Sequence, residues 1–260
     1  MYARHGVRKS IILSLSMIII GSALIWQAQR SKAVKNTPAT ILTFLGAPGS
    51  GKGTLADRCV SELDYITLST GNLCREHIAK GTELGTKLKE YTQKGLLVPD
   101  DVIMPMVKGW LNEHIKEGKT IILDGFPRTA GQADLLLQML KRDFAGHPFR
   151  VVEVDVPNDE IIQRLANRLM CENKSCQAIY SAANVAKNNP KCAACGSALI
   201  RRVDDKEEVV RERLKVYEAT SQKLKDFYMS KGIAIETVSG SKKSPEEVFA
   251  SFRMIFDTNK

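Results

Sequence analysis

The sequence predicts an α/β fold, a parallel sheet with helices on both faces. Three observations predict it. Short apolar runs rich in strand formers alternate with stretches of helical periodicity from residue 40 to the C-terminus. The first run passes through a glycine-rich loop straight into a helix. A later run ends on a single acidic residue, Asp124, followed by Gly125, as nucleotide-binding sheets of this class do. Of the 260 residues, 43% are hydrophobic and 26% charged, which excludes a wholly disordered chain, a collagen and a polytopic membrane protein.

The net charge of +9 is unevenly spread. Residues 1–56 hold no acid, and six of the 38 basic residues are Arg4, Arg8, Lys9, Arg30, Lys32 and Lys35. Without them, 32 bases face 29 acids and the body is only mildly basic, so the charge is weak support for nucleic-acid binding. Residues 11–26 are apolar apart from small residues. As a helix they would reach about 24 Å, a little short of a ~30 Å hydrocarbon core, with basic flanks and Trp26 at an interfacial position. A membrane anchor is the preferred reading. A signal peptide has a poor cleavage site at Trp26-Gln27-Ala28, and an organellar presequence would not need so long an apolar run. Three basic residues on each side leave its orientation unset. Residues 27–37 read as a linker, which makes 1–37 an anchoring or targeting segment and 38–260 the folded domain.

The first strand, Thr40-Ile41-Leu42-Thr43-Phe44-Leu45, runs into Gly46-Ala47-Pro48-Gly49-Ser50-Gly51-Lys52-Gly53-Thr54 and then a helical pattern. Glycines let successive backbone N–H groups point inward at phosphate oxygens, the helix N-terminus adds partial positive charge, and Lys52 adds a full one. An ordinary glycine-rich turn would not need three glycines and a lysine in this register. Phosphate loops commonly end Gly-Lys-Ser/Thr. Here Gly53 follows Lys52 and Thr54 comes one position later, so this is not a switch-GTPase or motor loop.

In this loop the chain resembles the adenylate kinases, and the resemblance extends over about 220 residues to the C-terminus. It implies a P-loop NTPase-type sheet with a small helical subdomain for the acceptor nucleotide, about residues 69–98, and an inserted lid, about 169–203. It implies Mg²⁺-dependent, reversible transfer of a phosphoryl group from ATP to AMP, giving two ADP. Gly49, Ser50, Gly51, Lys52, Gly53 and Thr54 would hold ATP.

The next motifs follow in chain order. Ser69-Thr70-Gly71-Asn72 reads as a strand end and a capped helix carrying Arg75; the resemblance puts Thr70 and Gly71 beside the AMP base and Arg75 on its α-phosphate, with Asn72 where the family usually has Asp. Leu96, Leu97 and Val98 would line the acceptor base and ribose; alone they read as core. Asp124 would hold Mg²⁺ through water, since Mg²⁺ keeps several waters. Gly125, Phe126 and Pro127 would border AMP, Arg128 would place a planar cation on phosphate, and Gln132 would read the adenine edge.

Val151-Val152-Glu153-Val154-Asp155 predicts another strand, and the helix after it is expected to carry both Arg164 and Arg168 as an i, i+4 pair. The resemblance assigns these to ATP, and Arg202 and Arg213 to the phosphates in flight. Arg201 takes no role. Asp204 and Asp205 would tether the arginines. Ile179 and Tyr180 would sit against the ATP base and ribose, and Lys242, within one residue, would reach the adenine from a turn after the last strand. Lys52, Asp124, Arg128, Arg164, Arg202 and Arg213 form the expected catalytic set. Phosphoryl transfer needs positioning and positive charge rather than a general base.

Cys171, Cys176, Cys192 and Cys195 lie inside the insert. Cys192-Ala-Ala-Cys195 has zinc-knuckle spacing, while the first pair has four intervening residues, the wide end of the structural range. Some family members hold a four-thiolate zinc here, usually with a narrower first gap. A disulfide or a metal-free relic is the other reading. Cys59 and Cys74 read as packed thiols. A kinase for another nucleoside monophosphate such as UMP or CMP, and a nucleic-acid-binding zinc module, are the alternatives; Thr70, Gln132 and the long cysteine-bearing lid favour AMP, and no basic stripe interleaved with aromatics supports the second. An ATP-using enzyme with six cysteine thiols is expected where ATP and reductant are present, which puts the catalytic domain in the cytoplasm, tethered if residues 11–26 are kept. A monomer is what the resemblance implies.

Overall fold

The computed structural model describes residues 38–173, 176–185 and 191–257. The expected anchor at 11–26 lies outside them. No helix among the described residues is long and apolar enough to cross a membrane.

Five parallel strands form the central sheet: β1 (Ile41–Leu45), β2 (Ile66–Ser69), β3 (Ile121–Asp124), β4 (Phe149–Asp155) and β8 (Ile235–Ser239), in the order β2-β3-β1-β4-β8. β1 lies in the middle, pairing Ile41 with Ile121 on one side and Phe149 on the other. Every residue of β1 is buried, which is why it reads as a continuous apolar run rather than an alternating one. Alternation survives in what each side chain meets. Ile41 joins Leu68, Ile121 and Leu123 in a core cluster that includes Val107, Leu111, Leu136 and Met139. Leu42 and Phe44 point the other way, to Leu55, Cys59, Val154 and Phe252.

The helices supply those faces. Leu55 and Cys59 belong to α1 (Lys52–Leu63). Val107 and Leu111 belong to α4 (Asp100–His114), after α2 (Thr70–Lys80) and α3 (Glu83–Gln93). Leu136 and Met139 belong to α5 (Ala130–Asp143). α6 (Asn158–Ala166) and α7 (Glu207–Ser230) share a smaller cluster of Ile161, Leu165, Val210 and Leu214, and α8 (Pro245–Asp257) brings Phe252. α1 connects β1 to the edge strand β2 on one face, the chain returns to β3 beside β1, and α5 crosses from β3 to β4 on the other face. The crevice left at the carboxyl ends of the strands is where such sheets bind ligands.

Between α6 and α7 the chain builds a second, antiparallel sheet of β5 (Arg168–Cys171), β6 (Ile179–Ser181) and β7 (Leu199–Ile200), in the order β6-β5-β7. One expectation is corrected here. α6 ends at Ala166, and Arg168 opens β5, where it pairs with Ser181. Arg164 and Arg168 are therefore not a helical pair. Asn167 closes the helix, and the residues after it are drawn into the ladder.

α2 and α3 pack closely at Gly85. A Cβ built there would lie 2.1 Å from the His77 carbonyl oxygen. Gly85 is helical, so alanine would gain up to about 1 kcal/mol of intrinsic propensity, but the α2 backbone would have to give way. Gly85→Ala is expected to destabilise the protein by about 2 kcal/mol, read as a lower urea midpoint at unchanged slope. An unchanged or raised midpoint would contradict that packing.

Candidate functional site

The motif residues gather along the carboxyl edge of the sheet. β1 ends at Leu45 and the glycine loop begins at once. Gly46 has φ +135°, and a Cβ there would be 2.4 Å from the Val154 carbonyl oxygen, so the loop's first turn requires glycine. Lys52 folds back over the loop, its Nζ donating to the carbonyls of Gly46 at 2.7 Å and Ala47 at 2.8 Å. β2 ends at Ser69, whose hydroxyl caps α2 by accepting from the Asn72 N–H. β3 ends at Asp124, and β8 leads to Gly240.

Two chambers open on this edge. The one beside α2 encloses roughly 370 Å³ and is lined by Thr70, Gly71, Arg75, Leu96, Leu97, Val98, Gly125, Phe126, Arg128, Gln132, Arg202 and Arg213. That is every residue expected around the acceptor except Pro127, which lines the second chamber. The second encloses roughly 640 Å³ over the glycine loop and is lined by Gly49 to Thr54, Asp124, Arg164, Arg168, Ile179 and Tyr180. Arg75, Arg128, Arg202 and Arg213 line both, so the chambers meet at a cluster of guanidinium groups.

Lys242 does not line either chamber. It takes φ +53°, and its N–H donates to the Glu160 carboxylate; the neighbouring Lys243 lines the loop chamber instead. Gln132 is engaged at both ends of its amide, with Oε1 accepting the Arg128 N–H and Nε2 donating to Asp100 Oδ1, each at 2.9 Å. One lone pair and one N–H remain for a ligand edge. Arg164 braces the loop, donating to the Gly240 carbonyl at 2.6 Å and the Ser50 carbonyl at 3.3 Å.

Three arginines are held by two carboxylates. Arg168 donates to Asp205 through Nε at 2.7 Å and through Nη2, Arg202 donates to Asp204 in the same two-pronged way, and Arg213 donates to Asp204 at 3.2 Å. Burial works against the charge on Asp204, but Arg202 and Arg213 outweigh it and hold that carboxyl well below the usual range. Burial pulls Arg75 down to about 10, with Arg202 adding to it, and pulls Arg213 down to about 10; both stay charged at neutral pH. Burial also lowers Lys52 to about 8, against the pull of Asp124.

Sequence reasoning missed Asp57. It stands on α1 one turn beyond Gly53 and lines the loop chamber. The surrounding protein and the Asp124 carboxylate push its carboxyl up to about 6. No motif marks it; its place one turn after Gly53 and Thr54, on the helix that the loop opens, is the signal that could have.

In the small sheet the four cysteine sulfurs lie within 4.8 Å of one another, with Cys171 and Cys195 at 3.4 Å and Cys176 and Cys192 at 3.7 Å. A tetrahedron of sulfurs 2.3 Å from zinc has edges of about 3.8 Å, so this donor set suits that ion. The Tyr180 hydroxyl lies 3.3 Å from Cys192 Sγ and accepts the Ala193 N–H at 3.0 Å. Its bond to the sulfur helps lower Cys192 to about 6, toward the thiolate a metal needs. Cys59 is buried in the core and is pushed up to about 12, an inert thiol.

A glycine loop between a buried strand and a helix, opening on a crevice ringed by arginines, defines a phosphotransferase of the nucleoside monophosphate kinase class. The family model for adenylate kinase matches residues 44–233. An adenylate kinase of Archaeoglobus fulgidus is 46% identical over 202 residues, covering 77% of this chain and 91% of that one. Those of Thermodesulfovibrio yellowstonii and Methanosarcina barkeri are 43% and 40% identical, covering 83% and 82% of this chain and 98% and 97% of theirs. The chain belongs to the adenylate kinase family. The alternatives of a pyrimidine-nucleotide kinase and of a nucleic-acid-binding zinc module are not favoured by these relatives.

The low Lys52 value has a consequence for stability. A lysine whose folded value is depressed from 10.5 to about 8 costs the native state below pH 8, and the cost disappears as pH rises toward 10.5. Between pH 7 and pH 10, the unfolding free energy of the wild type is expected to gain about 2–3 kcal/mol relative to Lys52→Met. Chemical denaturation of both across that range checks it; parallel profiles would contradict it.

Proposed function

We propose that the chamber beside α2 takes AMP and the chamber over the glycine loop takes ATP, so that the two phosphate chains meet end to end where the chambers join. The single observation that carries this reading is the shared ring of Arg75, Arg128, Arg202 and Arg213 at that junction, with Lys52 close enough to feel the charges of Arg128 and Arg213. Positive charge there stabilises the phosphoryl group as it passes between two anionic oxygens. The attacking atom is already an anionic phosphate oxygen, so no side chain has to remove a proton.

On the ATP side, the N–H groups of Gly49 to Thr54 and the Lys52 ammonium hold the phosphates. Arg164 and Arg168 add charge, and Ile179 and Tyr180 cover the base and ribose. Lys243, which lines the loop chamber, would approach the adenine in place of Lys242. On the AMP side, Thr70, Gly71 and the backbone at 96–98 surround the base, Gly125, Phe126 and Pro127 border it, Gln132 offers its remaining donor and acceptor to the edge, and Arg75 and Arg128 meet the phosphate. Asp204 and Asp205 hold Arg168, Arg202 and Arg213 with carboxylate pairs that phosphate oxygens can replace. The small sheet is the lid, which excludes water when it lies over the crevice.

Adenylate kinases use Mg²⁺ with ATP. Asp124 would hold it through water, with Asp57 beside it; when bound, the ion neutralises polyphosphate charge. The four cysteines would hold a structural zinc, because four thiolates leave no open position for chemistry. The catalytic domain is read as cytoplasmic and monomeric, tethered through residues 11–26 if these are retained.

Lys52→Met and Arg128→Ala are each expected to lower turnover at least 100-fold while circular dichroism stays native-like. Wild-type-like turnover in either would remove its residue from the mechanism. Metal analysis of the purified protein is expected to find about one zinc per chain, and chelation to lower the melting temperature. Protein without zinc and with its four lid cysteines as disulfides would overturn the metal reading.

A further inference from the structure

Gln177 stands out in the cysteine-bearing lid. Its φ is +47°, in the left-handed region that side chains other than glycine rarely adopt. Such a conformation persists where its surroundings demand it, and it is concentrated where ligands are clamped. Two neighbours fix it here. Gln177 follows Cys176 directly, and its N–H donates to the Asn173 carbonyl at 3.0 Å. The turn carries its side chain across the cleft. Gln177 Oε1 accepts from Arg75 Nε at 3.3 Å, a bond between residues 102 apart in sequence that joins the lid to α2.

On another edge of the same guanidinium, Nη2 donates to Asn72 Oδ1. The Nη1 group takes part in neither bond and lies 3.3 Å from where a Cβ on Gly71 would be, at the wall of the AMP chamber. A planar fork gripped on two edges presents its third in a set direction. The two grips differ in one respect. Asn72 and Arg75 share a helix, so that bond is independent of where the lid lies. The Gln177 bond runs from the small sheet to α2, so it depends on where the lid lies. Gln177 also lines both chambers.

We infer that Gln177 is a positioning residue: from the lid, its amide aims the Arg75 guanidinium at the acceptor phosphate, so that AMP is held more tightly when the lid lies over bound ATP. This rests on the reading that Arg75 meets AMP. The coupling between the nucleotides would then run partly through one hydrogen bond, and it must be reciprocal.

The test compares wild type, Gln177→Gly and Arg75→Ala. Glycine removes the amide and accepts the left-handed backbone, so zinc content and fold should be retained. AMP affinity is measured by calorimetry, alone and with a non-hydrolysable ATP analogue present. In the wild type the analogue is expected to tighten AMP binding. In Gln177→Gly that enhancement should fall about three- to tenfold, with AMP affinity in the absence of the analogue changed less than twofold. KM for AMP should rise while KM for ATP holds. Arg75→Ala should weaken AMP in both conditions. Unchanged enhancement in Gln177→Gly beside a weakened Arg75→Ala would overturn the inference alone, as would a wild type with no enhancement. Unchanged AMP affinity in Arg75→Ala would overturn the role of Arg75 and the inference with it.

Discussion

The constraint on which the rest of this structure depends is the crowding of cations at the carboxyl edge of the sheet. Lys52, Arg75, Arg128, Arg168, Arg202 and Arg213 face a common space, and the carboxylates among them include Asp57, Asp124, Asp204 and Asp205. Burial and like charges together lower Lys52, Arg75 and Arg213. Such an arrangement stores an electrostatic deficit that a polyphosphate relieves. The same deficit makes the site costly to fold, and the large apolar clusters on both faces of the sheet supply the stability that tolerates it.

The two lid-side aspartates make that deficit manageable. Asp205 is almost fully buried with Arg168, and Asp204 spans Arg202 and Arg213. Paired in this way, the arginines are held near the crevice and their planar faces are already ordered, so less rotamer entropy is lost when phosphate arrives. A pair of carboxylates serving three guanidinium groups also leaves some donor capacity unmatched, which a ligand can take without first breaking every existing bond.

Most of this was legible in the sequence, for reasons that differ by element. The strand–loop–helix at 41–63 could be read because glycine positions, the lysine and the apolar run are all local signals, and Asp124 because a buried strand ending in an acid is equally local. The alternation of elements gave a parallel sheet but no strand order, so the pairing of β1 with both β3 and β4 is seen only in the structure. Arg168 was misplaced because helical spacing from Arg164 continued past Ala166, and nothing in the sequence announces that Asn167 turns the chain into a ladder with Ser181. Lys242 and Lys243 could not be separated because the turn's left-handed residue decides which lysine faces the chamber. Asp57 and Gln177 carry no motif at all; one matters through a helical turn, the other through a backbone conformation that its residue type does not advertise.

The lid shows how spacing and geometry part company. Its own core is small, with Cys171, Cys192 and Leu199 the buried residues and Ala178 and Tyr180 packed on them. A three-stranded sheet of this size buries little apolar surface. A cross-link would add to its stability, and four sulfurs within 4.8 Å provide the place for one. The unusual width of the Cys171–Cys176 gap does not keep the four sulfurs apart, since Cys171 sits on β5 and Cys176 in the turn before β6. What the cluster fixes instead is the backbone at its edge: Cys176 anchors the residue after it, and the Tyr180 hydroxyl ties Cys192 to a side chain that lines the loop chamber. A cross-link at the sulfurs would thereby stiffen the walls of both chambers, which Gln177 lines.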